Sequence, residues 1–325
     1  MADPEPSHPG SPSPTNLDDD RLLYLDGTRL ERIDIESGRS SRLARVPAPD
    51  VAASRSTKWI AYVVGTSAVA DDFVESPVLH LRDVTSGEDI DAGPGFAPLW
   101  HPLNDRVAYL RPVEPRLCDA ETCRGGVTVA VVDPGGEARD LLPAGRWGLL
   151  AWAGDDLLVA DGKDLSHTTV VGPVVNTKLD VAPYEIWDAS PDGRWLVTSG
   201  AAGAQMVRLD AGTVTGSPLE VDLGGGLLGD GSWSLDSSRF AATVRDRERT
   251  RVVVVETDDL TARPLPGSAG AAGSVVWSPS GAAVSITRSA QGGRRLEAAY
   301  CPVDSGERCR GLFTWIQDVI LLRME

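Results

Sequence analysis

The sequence predicts an all-β protein built from similar units, and three observations support this prediction. A turn motif of the pattern Trp-Ser-Pro-[Asp/Ser]-Gly recurs about every 43 residues, the usual length of a four-stranded propeller blade. Each copy is followed by short segments rich in β-branched and aromatic residues. No window carries an amphipathic helical stripe longer than about two turns. The predicted architecture is therefore a single β-propeller, with seven four-stranded blades favoured and six as the alternative.

The turn motif can be followed along most of the chain. Clear and fair copies are WHPLN at 100–104, WAGDD at 152–156, ASPDG at 189–193, WSLDS at 233–237 and WSPSG at 277–281; weaker copies are LDDDR at 17–21 and ASRST at 53–57. Pro fixes φ at about −65° in such a turn, and Asp or Ser followed by Gly completes it. The Trp before the turn is predicted to end the innermost strand and to pack between adjacent blades.

Three further strands follow each turn. The second strand is seen in segments such as KWIAYVV and RWLVT, and the third in VTVAVVD and RVVVVET. The third strand ends at a Gly that supplies the positive φ of a tight hairpin. A more polar fourth strand, as in EARDLLP, completes the unit. The glycine-rich stretch GGGLLG at 224–229 is interpreted as a long turn between strands.

This combination of motif and strands resembles the TolB-type β-propeller repeat of bacteria. The resemblance covers about residues 17–315 and is clearest in the copies at 189, 233 and 277. It implies an extracytoplasmic propeller related in geometry to WD40-like repeats, although no Gly-His or Trp-Asp signature is found. The resemblance specifies a fold and does not specify an activity.

The two ends of the chain are expected to differ in role. Residues 1–16 are rich in Pro and Ser and are predicted to be a disordered linker or stalk, with the propeller domain over 17–325. The first unit lacks an innermost strand of its own, whereas the last unit continues past LFTWI into VILLR. We expect residues 319–323 to pair with the first blade and to close the ring, because an open ring exposes two sheet edges.

Cysteine spacing predicts an oxidising compartment. The four Cys fall in two local pairs, Cys118/Cys123 and Cys301/Cys309, each at an expected turn between strands. Two short-loop disulfides are predicted, with four reduced cytosolic thiols as the alternative. Neither a signal peptide nor a membrane-spanning run is recognisable. We therefore expect a secreted or cell-surface protein, tethered through an anchor N-terminal to the stalk.

Charge excludes some partners. The chain has 31 Lys and Arg against 47 Asp and Glu, a formal net charge of −16. Nucleic acid and anionic lipid surfaces both require a basic protein face, so neither is an expected partner. A basic or cationic partner is favoured instead.

No catalytic residue, cofactor or metal ligand is predicted. The sequence contains no G-x-S-x-G elbow, and no P-loop or dinucleotide motif. The histidines His80, His101 and His167 lie on three separate units, which does not suit a metal centre. The acidic segments LDDDR and AGDDLLVADGKD leave structural calcium as an alternative to the favoured solvated turns.

Three irregular segments are the candidate binding loops. They are 65–77, 111–126 and 300–311, and they were chosen because regular blades form the scaffold while loops vary with function. Together they are expected to rim one face, with ordinary loop drift as the alternative. Their charged residues are Asp71, Asp72, Glu75, Glu114, Arg116, Arg124, Arg308 and Arg310.

The expected function follows from location and architecture. We expect a monomeric, non-catalytic binding or scaffold domain that holds a protein, peptide or glycan on one face or in the central mouth. The alternative is a propeller enzyme, a lyase or hydrolase, with its site in that mouth. Convergence of three or more His, Asp, Glu or Arg side chains in the mouth would favour the enzyme.

Overall fold

The chain folds into seven antiparallel sheets arranged in a ring. The computed structural model describes residues 21–47, 51–65, 77–114, 123, 125–172, 176–200, 203–210, 212–247, 249–290, 295–315 and 319–324. Within these residues there are 29 strands. The helical structure described is one short 3-10 turn at Pro183–Glu185, which leads into blade 5.

The strands of blades 1 to 4 are given from the ring axis outward. Blade 1 contains β29 (Val319–Met324), β1 (Arg21–Asp26), β2 (Arg29–Asp34) and β3 (Ser40–Arg45). Blade 2 contains β4 (Val51–Ala53), β5 (Trp59–Val64), β6 (Val78–Asp83) and β7 (Asp89–Pro94). Blade 3 contains β8 (Phe96–Trp100), β9 (Val107–Pro112), β10 (Val127–Val132) and β11 (Arg139–Gly145). Blade 4 contains β12 (Trp147–Ala153), β13 (Asp156–Asp161), β14 (Asp164–Val171) and β15 (Asn176–Leu179).

Blades 5 to 7 follow the same order, and blade 5 has one extra strand. Blade 5 contains β16 (Ile186–Ala189), β17 (Trp195–Gly200), β18 (Gly203–Asp210) and β19 (Thr213–Val214), with β20 (Leu219–Glu220) also paired to β18. Blade 6 contains β21 (Gly226–Trp233), β22 (Arg239–Asp246), β23 (Arg249–Glu256) and β24 (Ala262–Pro264). Blade 7 contains β25 (Ala271–Trp277), β26 (Ala283–Ser289), β27 (Leu296–Pro302) and β28 (Arg310–Trp315).

The ring is closed by the last strand of the chain. The first strands of neighbouring blades contact one another all the way round, including β29 with both β4 and β25. Strand β29 pairs antiparallel with β1, which places Met324 opposite Leu22 and Val319 opposite Asp26. The predicted closure by residues 319–323 is confirmed, and so is the count of seven blades in preference to six.

The hydrophobic core is divided into seven layers, one between each pair of adjacent blades. Each layer is made of alternate side chains from two facing sheets and is closed to solvent. Fully or almost fully buried members, from the blade 1–2 layer to the blade 7–1 layer, are Leu25, Tyr109, Leu157, Leu196, Phe240, Ile286 and Leu22. No blade has a core of its own, so every blade depends on both neighbours for burial.

The two ends of the ring carry different connections. We call the end at which the first strands finish the turn face, because the recurrent turn motifs lie there. Antiparallel pairing places the connections between third and fourth strands at this face as well. The connections from second to third strands, and from one blade to the next, lie at the opposite end, called the loop face. Arg21 and Met324 both lie at the turn face, since they begin β1 and end β29.

The Ser of the turn motif has a role that the sequence pattern did not disclose. It is fully buried in four copies, and its hydroxyl oxygen accepts the backbone N–H of the residue five positions later. The four pairs are Ser54 with Trp59, Ser190 with Trp195, Ser234 with Arg239 and Ser278 with Ala283. A second bond joins the same residues through their backbones. The hydroxyl thus fixes the start of the second strand against the end of the first.

The motif Trp residues pack between blades, as predicted, and three of them also form a hydrogen bond there. The indole N–H donates to the carbonyl of the residue just before the motif in the preceding blade: Trp100 to Ala52 at 2.9 Å, Trp152 to Leu99 at 3.0 Å and Trp277 to Ser232 at 2.8 Å. Trp233 is buried in the same position, yet its N–H has no hydrogen-bond partner. The interface between blades 5 and 6 therefore lacks the indole hydrogen bond that the other three interfaces with a motif Trp contain.

The interpretation of GGGLLG as a long turn is wrong for most of its length. Strand β21 begins at Gly226, and Gly226 and Leu227 pair with Arg245 and Val244. The strand continues to Gly231, where a Cβ atom would overlap the ring of Phe240. Glycine is needed in this strand for close packing, which a composition-based rule cannot distinguish from turn chemistry.

Ring closure predicts a strong effect of C-terminal truncation. Removal of residues 318–325 is expected to lower the midpoint of thermal unfolding and to cause concentration-dependent association, because it exposes the edge of β1 and deletes the buried Leu321. Differential scanning calorimetry and analytical ultracentrifugation measure the two effects. Removal of Glu325 alone is the control, and it leaves every β29 pair in place. An unchanged melting curve for the longer truncation contradicts closure by this strand.

The indole hydrogen bonds predict a difference between two identical substitutions. Trp277→Phe is expected to reduce the free energy of unfolding by about 1–2 kcal/mol more than Trp233→Phe, because only the former leaves a carbonyl without its donor. Both variants lose the same indole volume, so each serves as the control for the other. Urea unfolding followed by circular dichroism gives the two values. Equal losses would show that the Trp277 bond contributes nothing measurable.

Candidate functional site

A large cavity occupies the central channel of the ring. Its volume is about 570 Å³, and it is lined by the first strands of all seven blades and by their turns. The lining residues are Val51–Ala53, Arg55, Pro98–Trp100, Pro102, Leu150–Trp152, Asp188, Ala189, Pro191, Ser232, Trp233, Leu235, Val275–Trp277, Pro279 and Ile320–Leu322. Because the turn residues belong to this set, the cavity opens at the turn face.

The repeat arranges the channel lining in two tiers. The inner tier consists of the residue just before each motif, namely Ala52, Leu99, Ala151, Asp188, Ser232 and Val276. The rim consists of the third motif residue, namely Arg55, Pro102, Pro191, Leu235 and Pro279. In blade 1 the channel is lined by Ile320–Leu322, in the middle of β29. Most of the lining side chains are apolar or small, while polar and apolar atoms are exposed to the channel in similar amounts.

Two ionisable side chains lie among the lining residues that the structure describes. Arg55 is at the rim on blade 2, and its Nη1 donates to the carbonyl of Leu103 at 3.2 Å. Asp188 is in the inner tier on blade 5, and its Oδ1 accepts the N–H of Ala189 at 2.8 Å. The sequence analysis named neither residue. Alignment of the repeat units could have identified both residues, because each is charged at a position where the other units carry a small, apolar or Pro residue.

The structure separates the predicted binding loops. The connection that leaves at Gly65 and returns at Pro77, and the one that leaves after β9, join second to third strands and lie at the loop face. Segment 300–311 joins the third and fourth strands of blade 7, and Val303 N–H donates to Ala282 O of the turn motif at 2.8 Å. It therefore lies at the turn face, not on the same face as the other two.

The predicted binding-loop residues fall into two groups. Asp71, Asp72, Glu75, Arg116 and Arg124 lie outside the described residues. Glu114 is exposed at the loop face, whereas Arg308 is exposed at the turn face. These two are not brought together, and a common rim is not formed.

Arg310 has an intramolecular role. Its Nη2 donates to the carbonyl of Ile35 in blade 1 at 3.1 Å, and its guanidinium lies 5.2 Å from the centre of the Tyr300 ring. It thus connects blade 7 to blade 1 across the seam where the ring closes. Arg310 therefore contributes to the contact between two blades, and this contact stabilises the ring.

The predicted disulfide between Cys301 and Cys309 is present. Cys301 is buried in the layer between blades 6 and 7, with Cys309 packed against it, and Cys309 N–H donates to Pro266 O of blade 6 at 3.0 Å. The disulfide closes the turn-face projection within blade 7, and the backbone hydrogen bond joins this projection to blade 6. Cys123 is also disulfide-bonded, and Cys118, its predicted partner, lies outside the described residues.

The three histidines of the domain remain on separate blades. His80 stacks on Tyr62 and its Nδ1 lies 3.1 Å from Asp89 in blade 2, and His167 lies 3.2 Å from Asp164 in blade 4. No group of three His, Cys, Asp or Glu side chains in the described part of the chain is placed to hold a metal ion. Most of the acidic segment LDDDR lies outside that part. Nor does any described helix have the length and apolar character needed to span a bilayer.

A smaller crevice of about 260 Å³ lies between blades 3 and 4. It is lined by Arg106, Val131, Arg139, Leu141, Trp152, Asp155, Val171 and Gly172. Its Arg106 is paired with Asp133 at 3.1 Å, and the same pairing recurs as Lys58–Asp83 in blade 2 and Arg239–Glu256 in blade 6. A contact that recurs with the repeat belongs to the blade framework, so the central channel is the stronger candidate site.

Fold and channel together define the class: a seven-bladed β-propeller with an axial channel open at the turn face. No protein-family model matches the chain, and no curated protein matches its sequence significantly.

Solved structures share the fold. A structure from a study of two prolyl endopeptidases matches with a TM-score of 0.64 and 17% identity, covering 95% of this chain and 50% of that one. The acylaminoacyl peptidase of Pyrococcus horikoshii matches with a TM-score of 0.60 and 12% identity, covering 88% and 48%. TolB from Acinetobacter baumannii matches with a TM-score of 0.49 and 15% identity, covering 94% and 67%. The chain spans about half the length of the two peptidases, and at these identities the likeness extends to the fold alone.

The turn of blade 3 predicts a pH-dependent stability. His101 replaces the motif Ser, is 1% exposed, and uses Nδ1 to accept the N–H of Leu103; its Nε2 is 3.3 Å from Asp155 without hydrogen-bond geometry. Burial lowers the pKa of His101 from its ordinary 6.5, and this effect exceeds the opposing charge of Asp155. At a pH below about 6.5, His101 binds a proton more readily in the unfolded chain than in the folded chain. The free energy of unfolding therefore falls as the pH drops below that value.

The His101→Ser variant restores the motif residue and is expected to lose less stability between pH 7 and pH 5 than the wild type. Urea unfolding at a series of pH values measures this slope. Ser278→Ala, at the same motif position in blade 7 and without a titratable side chain, is the control and should retain the wild-type slope. A slope for His101→Ser identical to the wild type would assign the pH dependence to other groups.

Proposed function

We propose that this chain is a non-catalytic binding domain that holds a polypeptide segment in the turn-face mouth of its central channel. The observation that carries the proposal is the cavity of about 570 Å³ in the central channel, to which every blade contributes and in which polar and apolar atoms are exposed in similar amounts. Its size lies within the usual range of ligand pockets, roughly 300–1,000 Å³. A site built from all seven blades is also rigid, because each wall is fixed by two interfaces.

The composition of the lining favours binding over catalysis. Acid–base or nucleophilic chemistry needs several polar groups within hydrogen-bond reach of one reacting atom. The described lining has one carboxylate and one guanidinium, on blades separated by two others. This sequence contains no G-x-S-x-G elbow. The enzyme alternative is kept as an outcome of the experiment below.

An extracytoplasmic location is part of the proposal. The Cys301–Cys309 disulfide supports it, because such bonds persist in oxidising compartments. The net charge of −16 suits a cationic or basic partner in that setting. Maleimide labelling of the cysteines before and after reduction, in intact cells, tests it: free thiols before reduction would argue for a reducing compartment.

The binding proposal is tested with random peptides displayed on phage and selected against the wild-type protein. Enriched peptides are expected to bind Val276→Trp more than about tenfold more weakly, because the indole fills the channel. Val113→Trp, at an exposed loop-face residue, is the matched control and should bind like the wild type. Circular dichroism establishes that both variants are folded.

Two outcomes would contradict the proposal. One is that no peptide is enriched, and the other is that binding is indifferent to Val276→Trp. Mass spectrometry of the incubated peptides provides the remaining check, since cleavage that is lost in Val276→Trp would favour the propeller enzyme.

A further inference from the structure

We propose that the crevice between blades 3 and 4 is a second binding site, which takes a small zwitterion with an apolar side chain, namely an amino acid or a short peptide with free ends. This site is separate from the central channel, and the proposal does not depend on what the channel binds. Three features of the crevice support it: an arginine on blade 3, an apolar floor, and an aspartate on blade 4.

The arginine of the crevice, Arg139, has a counterpart in blade 7 that forms a hydrogen bond to the next blade. Arg139 begins the fourth strand of blade 3 and pairs with Val131 of the third strand. Arg310 begins the fourth strand of blade 7 and pairs with Tyr300 in the same way. Arg310 Nη2 donates to Ile35 O of blade 1 at 3.1 Å, whereas the Arg139 guanidinium has no acceptor among the described residues. Its donors are therefore available to an anionic group.

The floor of the crevice is apolar because the layer between blades 3 and 4 reaches the surface here. The Tyr300 ring lies 5.2 Å from the Arg310 guanidinium in blade 7, but blade 3 has the smaller Val131 at that position. A space of about 260 Å³ remains, and its apolar walls are Val131, Leu141, Trp152 and Val171. This volume is below the roughly 300–1,000 Å³ of pockets for drug-sized ligands, so the occupant is small and carries an apolar group.

The aspartate on blade 4, Asp155, supplies the opposite charge. Its side chain lines the crevice and is 80% exposed. Its Oδ1 lies 3.3 Å from Nε2 of His101, and burial lowers the pKa of His101, so the imidazole is neutral at pH 7 and leaves the carboxylate charged. The other cation of the lining, Arg106, is paired with Asp133 at 3.1 Å. Asp155 is therefore available to an ammonium group.

A zwitterion satisfies both sides of the crevice at once. Its carboxylate accepts hydrogen bonds from Arg139, its ammonium group donates to Asp155, and its side chain covers the apolar floor. A ligand with only one of the two charges leaves the other charge of the crevice without a partner. The crevice therefore distinguishes a free amino acid from its amide and from its N-acetyl derivative.

The first part of the experiment varies the ligand. Leucine, phenylalanine and dileucine are titrated into the wild-type protein, with saturation-transfer difference NMR to detect binding and isothermal titration calorimetry to measure it. Leucinamide, which lacks the carboxylate, is expected to bind about tenfold or more weakly than leucine, because hydrogen bonds to a charged group are lost. N-acetyl-leucine, which lacks the ammonium group, is expected to bind about two- to fivefold more weakly, because Asp155 is largely exposed. The single amino acids and dileucine distinguish the two sources of the zwitterion.

The second part varies the protein. Arg139→Gln is expected to weaken leucine binding by about tenfold or more, and Asp155→Asn by about two- to fivefold. Arg308→Gln and Asp258→Asn remove the same charges at exposed turn-face positions of blades 7 and 6, so they are the matched controls and should bind like the wild type. Val131→Tyr introduces the residue of blade 7 and is expected to abolish binding by filling the crevice. Circular dichroism establishes that each variant is folded.

The outcomes separate this site from the central channel. Leucine binding that is lost in Arg139→Gln and retained in Val276→Trp supports the crevice. The proposal is overturned if none of the three probes binds the wild type, or if binding is indifferent to Arg139→Gln. Equal affinities for leucine and N-acetyl-leucine would overturn the role of Asp155. None of these results bears on the peptides selected for the channel, whose test is their sensitivity to Val276→Trp.

Discussion

Pairing of the last strand with the first blade is the constraint on which the rest of this structure depends. The core consists of seven separate layers, and each layer exists only while both of its blades are in place. Strand β29 supplies the innermost strand of blade 1 and so completes two layers at once. The junction between blades 7 and 1 is held further by Arg310, which donates to the carbonyl of Ile35, while Cys309 N–H donates to Pro266 O of blade 6 on the other side of blade 7. Blade 7 is thus hydrogen-bonded to both of its neighbours through one segment.

Much of this fold could be predicted because its determinants are local. Turn residues at a fixed spacing and a bulky Trp before each turn reflect the chemistry of one unit, and the unit repeats. The missing first strand at one end and the surplus strand at the other predicted closure without reference to any long-range contact. The prediction of a long turn at GGGLLG was wrong because a contact with the neighbouring strand shapes this part of the chain. Gly231 of β21 is required by the Phe240 ring on the next strand, and this contact lies outside the segment itself.

The candidate site could not be predicted in the same way, because it belongs to no single unit. A channel wall is formed by one short stretch from each blade, and only the ring brings these stretches together. Sequence reasoning sought the site in the insertions that interrupt the repeat. The described residues of those insertions lie at opposite ends of the ring. Arg310, which belongs to one of them, forms a hydrogen bond to Ile35 of blade 1. The residues that distinguish the channel lining are Arg55 and Asp188. Each is a charged residue within a regular unit, at a position where the other units carry a small, apolar or Pro residue.

The position of the chain ends has a consequence for how the molecule is held. Leu22 pairs with Met324, so both ends emerge beside the mouth of the channel. A label or fusion joined next to Arg21 or Met324 therefore lies on the same face as the candidate binding site, whereas one joined next to Val113 lies on the opposite face. Immobilisation of the protein through the loop face leaves the mouth open to a partner.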